Sequence, residues 1–394
     1  MTFHTQYVII NAEPVSARKK VLCVLLAADT TILLFGEFMK ERILAAMSGG
    51  VDSSVAAYLI RSQGYDAVGV TLKLFSNEDI ALDKDKTCCS LKDAEDARSV
   101  ATRLGMEHFV FNFSDGFKEN VIDRFIKTYE NGGTPNPCID CNRFIKWKQL
   151  LTRADLMECT HMATGHYARV EKDGSGRFLL KRSADITKDQ TYVLWALTKE
   201  QLARTVFPLG GMTKDEVREI AEAQGFLNAD KPDSQDICFV PDGDYAGFIE
   251  RYTGNTYPEG KFVDASGKEV GKHKGIIRYT VGQRKGLGIS YGRRIFVTAI
   301  DPKRNTVTLD DEPALFSKAL HANDINLTAV DSIDSPLQVT AKVRYGTREA
   351  AATVIQTAED EIRVEFDEPQ RAITRGQSVV LYDGDVVIGG GIIA

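Results

Sequence analysis

"AAMSGGVDSSVAAYL", residues 45–59, decides how the rest of the chain is read. Two glycines, an aspartate and paired serines stand between an apolar run, Ile43–Met47, and a stretch with Val55, Tyr58 and Leu59 on one helical face. A strand, a glycine turn and a helix start in that order aim backbone N–H groups and the positive end of a helix at an anion. Gly49 and Gly50 let the backbone come close to phosphate. A Walker A loop, G-x-x-x-x-G-K-[ST], grips phosphate with its lysine; here hydroxyls and Asp52 stand instead. S-G-G-x-D-S is the pattern of a pyrophosphate loop, found in enzymes that split ATP between the α- and β-phosphates. Asp52 is predicted to hold Mg²⁺ against the departing pyrophosphate, since Mg²⁺ favours a carboxylate combined with phosphate oxygens. The bland alternative, a serine-capped glycine turn, is disfavoured by the full seven-residue match in strand–loop–helix context.

Working outward, Ala67–Leu74 and Phe109–Phe113 read as further strands. Between them, Ser90 and Asp93 resemble a capping box opening a helix that Gly105 stops. Phe117, Val121, Phe125 and Tyr129 recur at helical spacing. Strands alternating with helices predict a parallel sheet covered on both faces. Residues 198–225 read as helical, with capping boxes at Thr198/Gln201 and Thr213/Glu216. Past about residue 243, glycine-rich turns separate short alternating strands, predicting hairpins and a small barrel or sandwich.

The chain has 394 residues, 43% of them hydrophobic, and a formal net charge of −6. That length suggests two or three domains. The acidic balance argues against a general nucleic-acid binder, but the charge is uneven. Lys268, Lys272, Lys274, Arg278, Arg284, Lys285, Arg293 and Arg294 face only Glu269, with Tyr279 and Tyr291 interleaved. Arg143, Lys146 and Lys148 add a second basic cluster. A local stripe of this kind supplies phosphate contacts while the remaining surface stays acidic. Seven cysteines (Cys23, Cys88, Cys89, Cys138, Cys141, Cys159, Cys238) are an odd set, which reads as thiols in a reducing cytosol and predicts a cytoplasmic protein. "ARKKVLCVLLAADTTILLFGEF", residues 17–38, starts basic and turns apolar, but Asp29 interrupts it and it falls short of the roughly 20 apolar residues of a membrane span. Residues 1–38 are therefore expected to be a poorly structured extension or an over-long start, with no membrane partner.

Three further motifs carry chemistry. In "TPNPCIDCN", residues 134–142, two prolines stiffen the approach to a C-x-x-C pair. Zinc would want two more Cys or His at similar spacing. The plausible companion is Cys238 in "PDSQDICFV", residues 232–240, whereas Cys88-Cys89 reads as structural. Thiol chemistry or an iron–sulfur site suits such a set better than a zinc ribbon. "ATGHY", residues 163–167, follows an apolar segment, where open α/β sheets bind ligands. "KDQTYVLW", residues 188–195, places polar groups ahead of an expected apolar helix.

Taken in order, SGGVDSS, TPNPCIDCNRFIKW, ATGHYAR, KDQTYVLW, DSQDICFV, YTVGQRKGLGI, VRYG and GQSVVLYDGDVVIGGGII resemble the bacterial tRNA-specific 2-thiouridylases from about Met39 to the C-terminus. The resemblance implies an α/β fold: a Rossmann-like parallel-sheet pyrophosphate-loop domain (39–242), a small central β-rich, tRNA-binding domain (243–310) and a C-terminal β-barrel (311–394). It implies an ATP- and Mg²⁺-dependent enzyme that adenylates O2 of the wobble uridine (position 34) of tRNA and replaces that oxygen with sulfur. Ala46, Met47, Ser48, Gly49, Gly50, Val51, Asp52 and Ser53 would cradle ATP, with Leu72 and Gly165 lining the nucleotide. Cys238 would carry a persulfide received from a sulfur-donor protein, and Cys141 would release the sulfur by forming a disulfide with Cys238. Asn136, Pro137 and Cys138 would lie against the target base. Lys188, Asp189, Gln190, Arg344 and Tyr345 would contact tRNA, as would His166 and Gln377. Many relatives carry Asp where this chain has Cys138. That departure leaves acid/base help to water, His166 or Asp140, and opens an alternative in which Cys138, Cys141 and Cys238 ligate a [4Fe–4S] cluster carrying sulfide. Competing readings are an ATP-dependent amide synthetase acting on a small molecule and a non-catalytic RNA-binding or iron–sulfur protein. Pyrophosphate exchange that requires tRNA separates all three.

Overall fold

The computed structural model describes residues 41–76, 91–231 and 237–394, with the backbone of 21–27 and 30–36. Val21–Ala27 (β1) and Thr30–Gly36 (β2) pair antiparallel and join no other described sheet. Within the span read as a poorly structured extension there is thus a paired segment, made of two apolar runs of the kind strands favour.

The phosphate turn sits on a five-stranded parallel sheet. Its strands are β3 (Arg42–Ala46), β4 (Asp66–Lys73), β5 (His108–Asn112), β6 (His161–Ala163) and β9 (Thr205–Val206), in the spatial order β5-β4-β3-β6-β9. Alternate residues of β3 enter opposite cores. Leu44 packs with Val68, Val70 and Met162, while Ile43, Ala45 and Met47 pack with helices α1 (Val51–Ser62) and α2 (Leu91–Arg103). Both faces are therefore covered, as a parallel sheet requires. The chain builds outward from β3 to β5, then returns to place β6 on the other side of β3. That reversal opens a crevice at the carboxyl ends of β3 and β6, the ligand position in open α/β sheets. Met47–Gly50 follows one of these strands and Thr164–His166 the other.

Several expectations are corrected. Residues 198–225 are two short helices, Lys199–Ala203 and Lys214–Ala223, with β9 between them; both capping boxes form. A two-residue strand has no periodicity to read; β9 exists because the sheet edge at β6 recruits it. "KDQTYVLW" forms a single 3₁₀ turn, Thr191–Val193, and no apolar helix. Tyr192, Leu194 and Trp195 are all fully buried, and the C-terminal strands claim this segment: Tyr192 Oη donates to Ser378 O and Asn326 Nδ2 to Trp195 O. The helical runs 114–130 and 137–156 each contain a π-helical stretch, Lys118–Ile122 and Cys141–Leu150. Ser90, Cys88 and Cys89 lie outside the described residues.

Helix Tyr245–Thr253, invisible in the strand-like texture past residue 243, is capped by Asp244 and ended by Gly254 at φ +68°. It leads to a four-stranded sheet whose members appear in chain order as β10 (Gly260–Val263), β11 (Glu269–His273), β12 (Phe296–Asp301) and β13 (Thr306–Asp310). The last six strands are β14 (Phe316–Leu327), β15 (Leu337–Lys342), β16 (Ala350–Ala358), β17 (Glu361–Arg371), β18 (Ser378–Asp383) and β19 (Val386–Ile393). They run β14-β17-β16-β15-β18-β19 and close through β14–β19, a barrel without free edges. A hairpin from the first unit, β7 (Ala168–Lys172) and β8 (Phe178–Arg182), attaches to β19 at Lys181–Val386. Arg182 stacks 3.9 Å from the Tyr382 ring centre and Arg169 pairs with Asp385 at 2.8 Å, tying barrel to sheet.

Candidate active site

The phosphate turn is held from three sides. Gly49 has φ +76°, and a Cβ there would stand 2.3 Å from the Asp93 carbonyl oxygen, so α2 excludes any side chain. Ser53 Oγ accepts from Ser48 N at 3.1 Å and donates to Gly50 O at 3.0 Å, tying the turn to the first helical residues. Opposite, a Cβ on Gly165 would fall 2.7 Å from Asp52 C and Ser53 N. Glycine is thus what lets the loop after β6 close on the start of α1. Met47, Gly49, Val51 and Ser53 are buried, Ala46 and Gly50 partly so, and Ser48 is exposed at the mouth; Leu72 lies half-buried on the neighbouring strand.

Asp52 is engaged by protein. Lys214 Nζ donates to both carboxylate oxygens, at 2.8 and 2.9 Å, and Tyr167 Oη donates to Oδ1 at 2.9 Å. The carboxylate predicted to hold Mg²⁺ is thus neutralised by an ammonium, and these residues do not fit the metal. Beside it, Lys231 Nζ donates to Gly49 O at 3.2 Å and pairs with Asp93 and Asp96, and Asn228 Nδ2 donates to Gly49 O and Ser54 Oγ at 2.9 Å each. Lys214, Asn228 and Lys231 were missed by sequence reasoning. They lie far from the loop in the chain, and the only local feature at Lys214 is a capped helix start.

The cysteine loop is built by capping. Asn136 Oδ1 accepts from Cys138 N at 3.2 Å, and Pro137 occupies the first helical position, where a missing N–H costs nothing. Cys138 is exposed locally but ringed by protein, which raises its thiol pKa while Lys146 pulls it down. Burial pushes the Cys141 thiol up to about 11, against Lys146, with Cys138 and Asp140 adding to the rise. Burial also lifts the Asp140 carboxyl to about 6, despite its ion pair with Arg124 at 3.3 Å. Cys141 and Cys238 pack against the same apolar core, and neither is in a disulfide. Among the described residues no three Cys, His, Asp or Glu side chains converge as metal ligands. The three-thiolate cluster raised as an alternative for Cys138, Cys141 and Cys238 is therefore not assembled among the described residues.

Lys146 joins the two halves of the site. Expected as a phosphate contact, it turns inward to 3.5 Å from His166 Nε2, while its charge bears on both Cys138 and Cys141. His166 Nδ1 lies 2.8 Å from Thr164 Oγ1. Burial first, then Lys146, holds the imidazole pKa well below its usual value, so His166 is neutral at physiological pH.

Several residues expected to meet tRNA serve the framework. Asp189 is buried and accepts from Ser183 N and Thr191 Oγ1; Gln190 Oε1 accepts from Tyr167 N. Arg344 donates to Val281 O and Thr374 Oγ1. Gln377 reaches from the barrel to donate to Thr134 O at 2.9 Å and Pro135 O at 3.1 Å, anchoring the cysteine loop. Tyr345, 47% exposed, presents its ring close enough for the Cys138 charge to bear on its phenol, as does that of the half-buried Lys188. Of the basic stripe, Lys268, Lys272, Lys274, Arg284, Lys285, Arg293 and Arg294 are exposed. Arg278 pairs with Glu250 and Arg293 with Asp311. Tyr279, expected among the interleaved surface aromatics, is core: it packs edge-on against Phe262 and His273. Among the described residues no helix is long and apolar enough to cross a membrane.

Residues 41–242 match the family model described as tRNA methyl transferase HUP domain, 246–311 the tRNA methyl transferase PRC-barrel domain, and 317–393 the aminomethyltransferase beta-barrel domain. A tRNA-specific 2-thiouridylase MnmA of Clostridioides difficile (strain 630) is 52% identical over 357 residues, 90% of this chain and 99% of that protein. Its namesake from Lachnoclostridium phytofermentans is 50% identical over 354 residues, again 90% of this chain and 99% of the relative. Among solved structures, a 4-thiouridine synthetase–RNA complex with bound ATP aligns at TM-score 0.35 and 18% identity over 54% of this chain and 50% of that one, too slight a likeness to bear on the site.

Proposed function

The chain belongs to the tRNA-specific 2-thiouridylase family, and on that premise we propose that it is a tRNA-uridine 2-sulfurtransferase acting on the wobble uridine of tRNA in the cytoplasm. The observation that carries the reading is Lys146. It rises from the helical run that bears Cys138 and Cys141 and reaches His166 in the loop that closes on the phosphate turn, which supports one site for both activation and sulfur transfer.

The turn from Ala46 to Ser53, with Leu72 and Gly165, takes ATP. Uracil O2 attacks the α-phosphorus, the bond to the β-phosphate breaks and pyrophosphate leaves. A carbonyl oxygen is a poor leaving group; its adenylate leaves as AMP. Cys238 carries an outer persulfide sulfur, received from a donor protein, and that sulfur attacks C2 as AMP departs. Cys141 gives up its proton and attacks the inner sulfur of Cys238. The S–S bond to the base breaks, its electron pair goes to the departing sulfur to give the 2-thiocarbonyl, and Cys141–Cys238 becomes a disulfide that a cellular thiol reductant reopens. No step is routed through Mg²⁺ or an iron–sulfur cluster, for which the side chains do not fit. Asn136, Pro137, Cys138, Lys188 and Tyr345 border the base, and neutral His166 stands as a proton acceptor. Asp189, Gln190, Arg344 and Gln377 act on tRNA through the loops they hold. The exposed cations of residues 268–294 take the phosphate backbone.

Mass spectrometry of nucleosides from tRNA incubated with enzyme, ATP and a persulfide donor tests this. The expected product is 2-thiouridine at the wobble position, with pyrophosphate exchange that requires tRNA. No 2-thiouridine in the presence of an active donor would overturn the assignment.

A further inference from the structure

The loop that opened the sequence lacks a lysine, yet the folded site has one. Lys214 is 7% exposed, and its ammonium sits 2.8 and 2.9 Å from the two oxygens of Asp52, the second residue of α1. We infer that Lys214 supplies, from another element, the phosphate-gripping ammonium that this loop is missing, with Asp52 holding it beside the helix start. The inference rests on the ATP reading above and names the residue that grips the β- and γ-phosphates.

Four features support it. The backbone at Lys214 is fixed: Thr213 caps its helix through a complete capping box, and Lys214 N donates to Asp185 at 3.3 Å. The side chain is steered by Tyr167, whose hydroxyl donates to Asp52 while its ring lies 5.9 Å from the ammonium. The pair opens on one side, because the Asp52 side chain keeps 31% exposure where that of Lys214 keeps 8%. Finally, the neighbouring Lys231 is committed elsewhere, to the Gly49 carbonyl and to two carboxylates, Asp93 and Asp96. A triphosphate carries several negative charges against the one on Asp52, so it draws the ammonium by Coulomb attraction, adding to the backbone N–H groups of the turn. A lysine suits this role as a mobile point charge.

The test is calorimetric titration of the full chain with ATP and with AMP, in EDTA so that no divalent cation contributes. Lys214→Met is combined with Asp52→Asn so that no buried charge is left uncompensated, and melting temperature reports folding. Lys214→Gln, which keeps a donor to Asp52, is the second variant, and Lys214→Arg is the conservative one. Both neutral variants are expected to lose about 10-fold or more in ATP affinity, the scale of a charge-assisted hydrogen bond, with AMP affinity little changed. Lys214→Arg should recover part of the ATP preference. A neutral variant that binds ATP as tightly as the unsubstituted chain, or loses ATP and AMP equally, overturns the role. If the unsubstituted chain binds no ATP, the activation reading itself falls, and this inference with it.

Discussion

At the scale of single residues, the site depends on close approaches and on desolvation. Gly165→Ala would press a methyl group against the backbone of Asp52 and Ser53. It should destabilise the chain by about 1–3 kcal/mol, as overpacking does, and weaken ATP binding more than it lowers the melting temperature of a distant core variant. Paired calorimetry and thermal melts read both effects. Cys141 is a protonated thiol at neutral pH because burial lifts it to about 11. The thiolate is the reactive form, so alkylation should climb steadily as pH rises from about 7 toward that value. Ionised Asp140 contributes to the rise, so Asp140→Asn should lower the Cys141 pKa and raise its alkylation rate roughly severalfold at about pH 8. Peptide-resolved mass spectrometry separates Cys141 from Cys138, and an unchanged Cys141 rate would remove Asp140 from the account. The pattern C-x-x-C identified these thiols, but no pattern in the chain states their burial.

The elements that carry the chemistry are steadied by partners remote in sequence. The C-x-x-C pair of the cysteine loop is legible locally, although the helix start that Asn136 caps is not read from it. Nor is the loop's anchoring: Gln377 and the backbone of Arg375, which accepts from Thr134 N at 2.8 Å, arrive from the barrel. Arg143 of the cysteine helix is likewise held by Asp324 of β14 through two hydrogen bonds, at 2.5 and 2.8 Å. Gln377→Ala removes two hydrogen bonds to main-chain carbonyls and should cost about 1–2 kcal/mol of stability. Because the loop and not the nucleotide turn loses its support, thiolation should slow while ATP affinity holds. A variant that loses ATP affinity in proportion to turnover would contradict this division. The same distance explains the misread "KDQTYVLW": its burial comes from strands formed more than a hundred residues later, and local pattern cannot report it.

For the whole molecule, charge and topology matter most. An overall acidic chain can bind tRNA if its cations are grouped, and all of those of residues 268–294 except the half-buried Arg278 are exposed on the central unit. Reversing Arg284 and Lys285 to Glu should weaken tRNA binding and flatten the salt dependence by about two phosphate contacts. A titration of affinity against salt that superimposes on the unsubstituted chain would count against the stripe. Tyr279 shows the limit of reading such a stripe linearly, since a residue flanked by cations belongs to the core. What the sequence determined by itself was local: the glycine turn between strand and helix, the proline-stiffened C-x-x-C pair, the alternating strands of the barrel. Each follows from dihedral preference or periodicity over a few residues. Tertiary structure alone decided which charges meet. The sheet reversal between β3 and β6 sets Gly165 on α1, the helix at Lys214 brings an ammonium to Asp52, and barrel closure delivers Gln377 to the cysteine loop. Coulomb forces and buried hydrogen bonds act on distance in space, and one chain without its fold does not contain that distance.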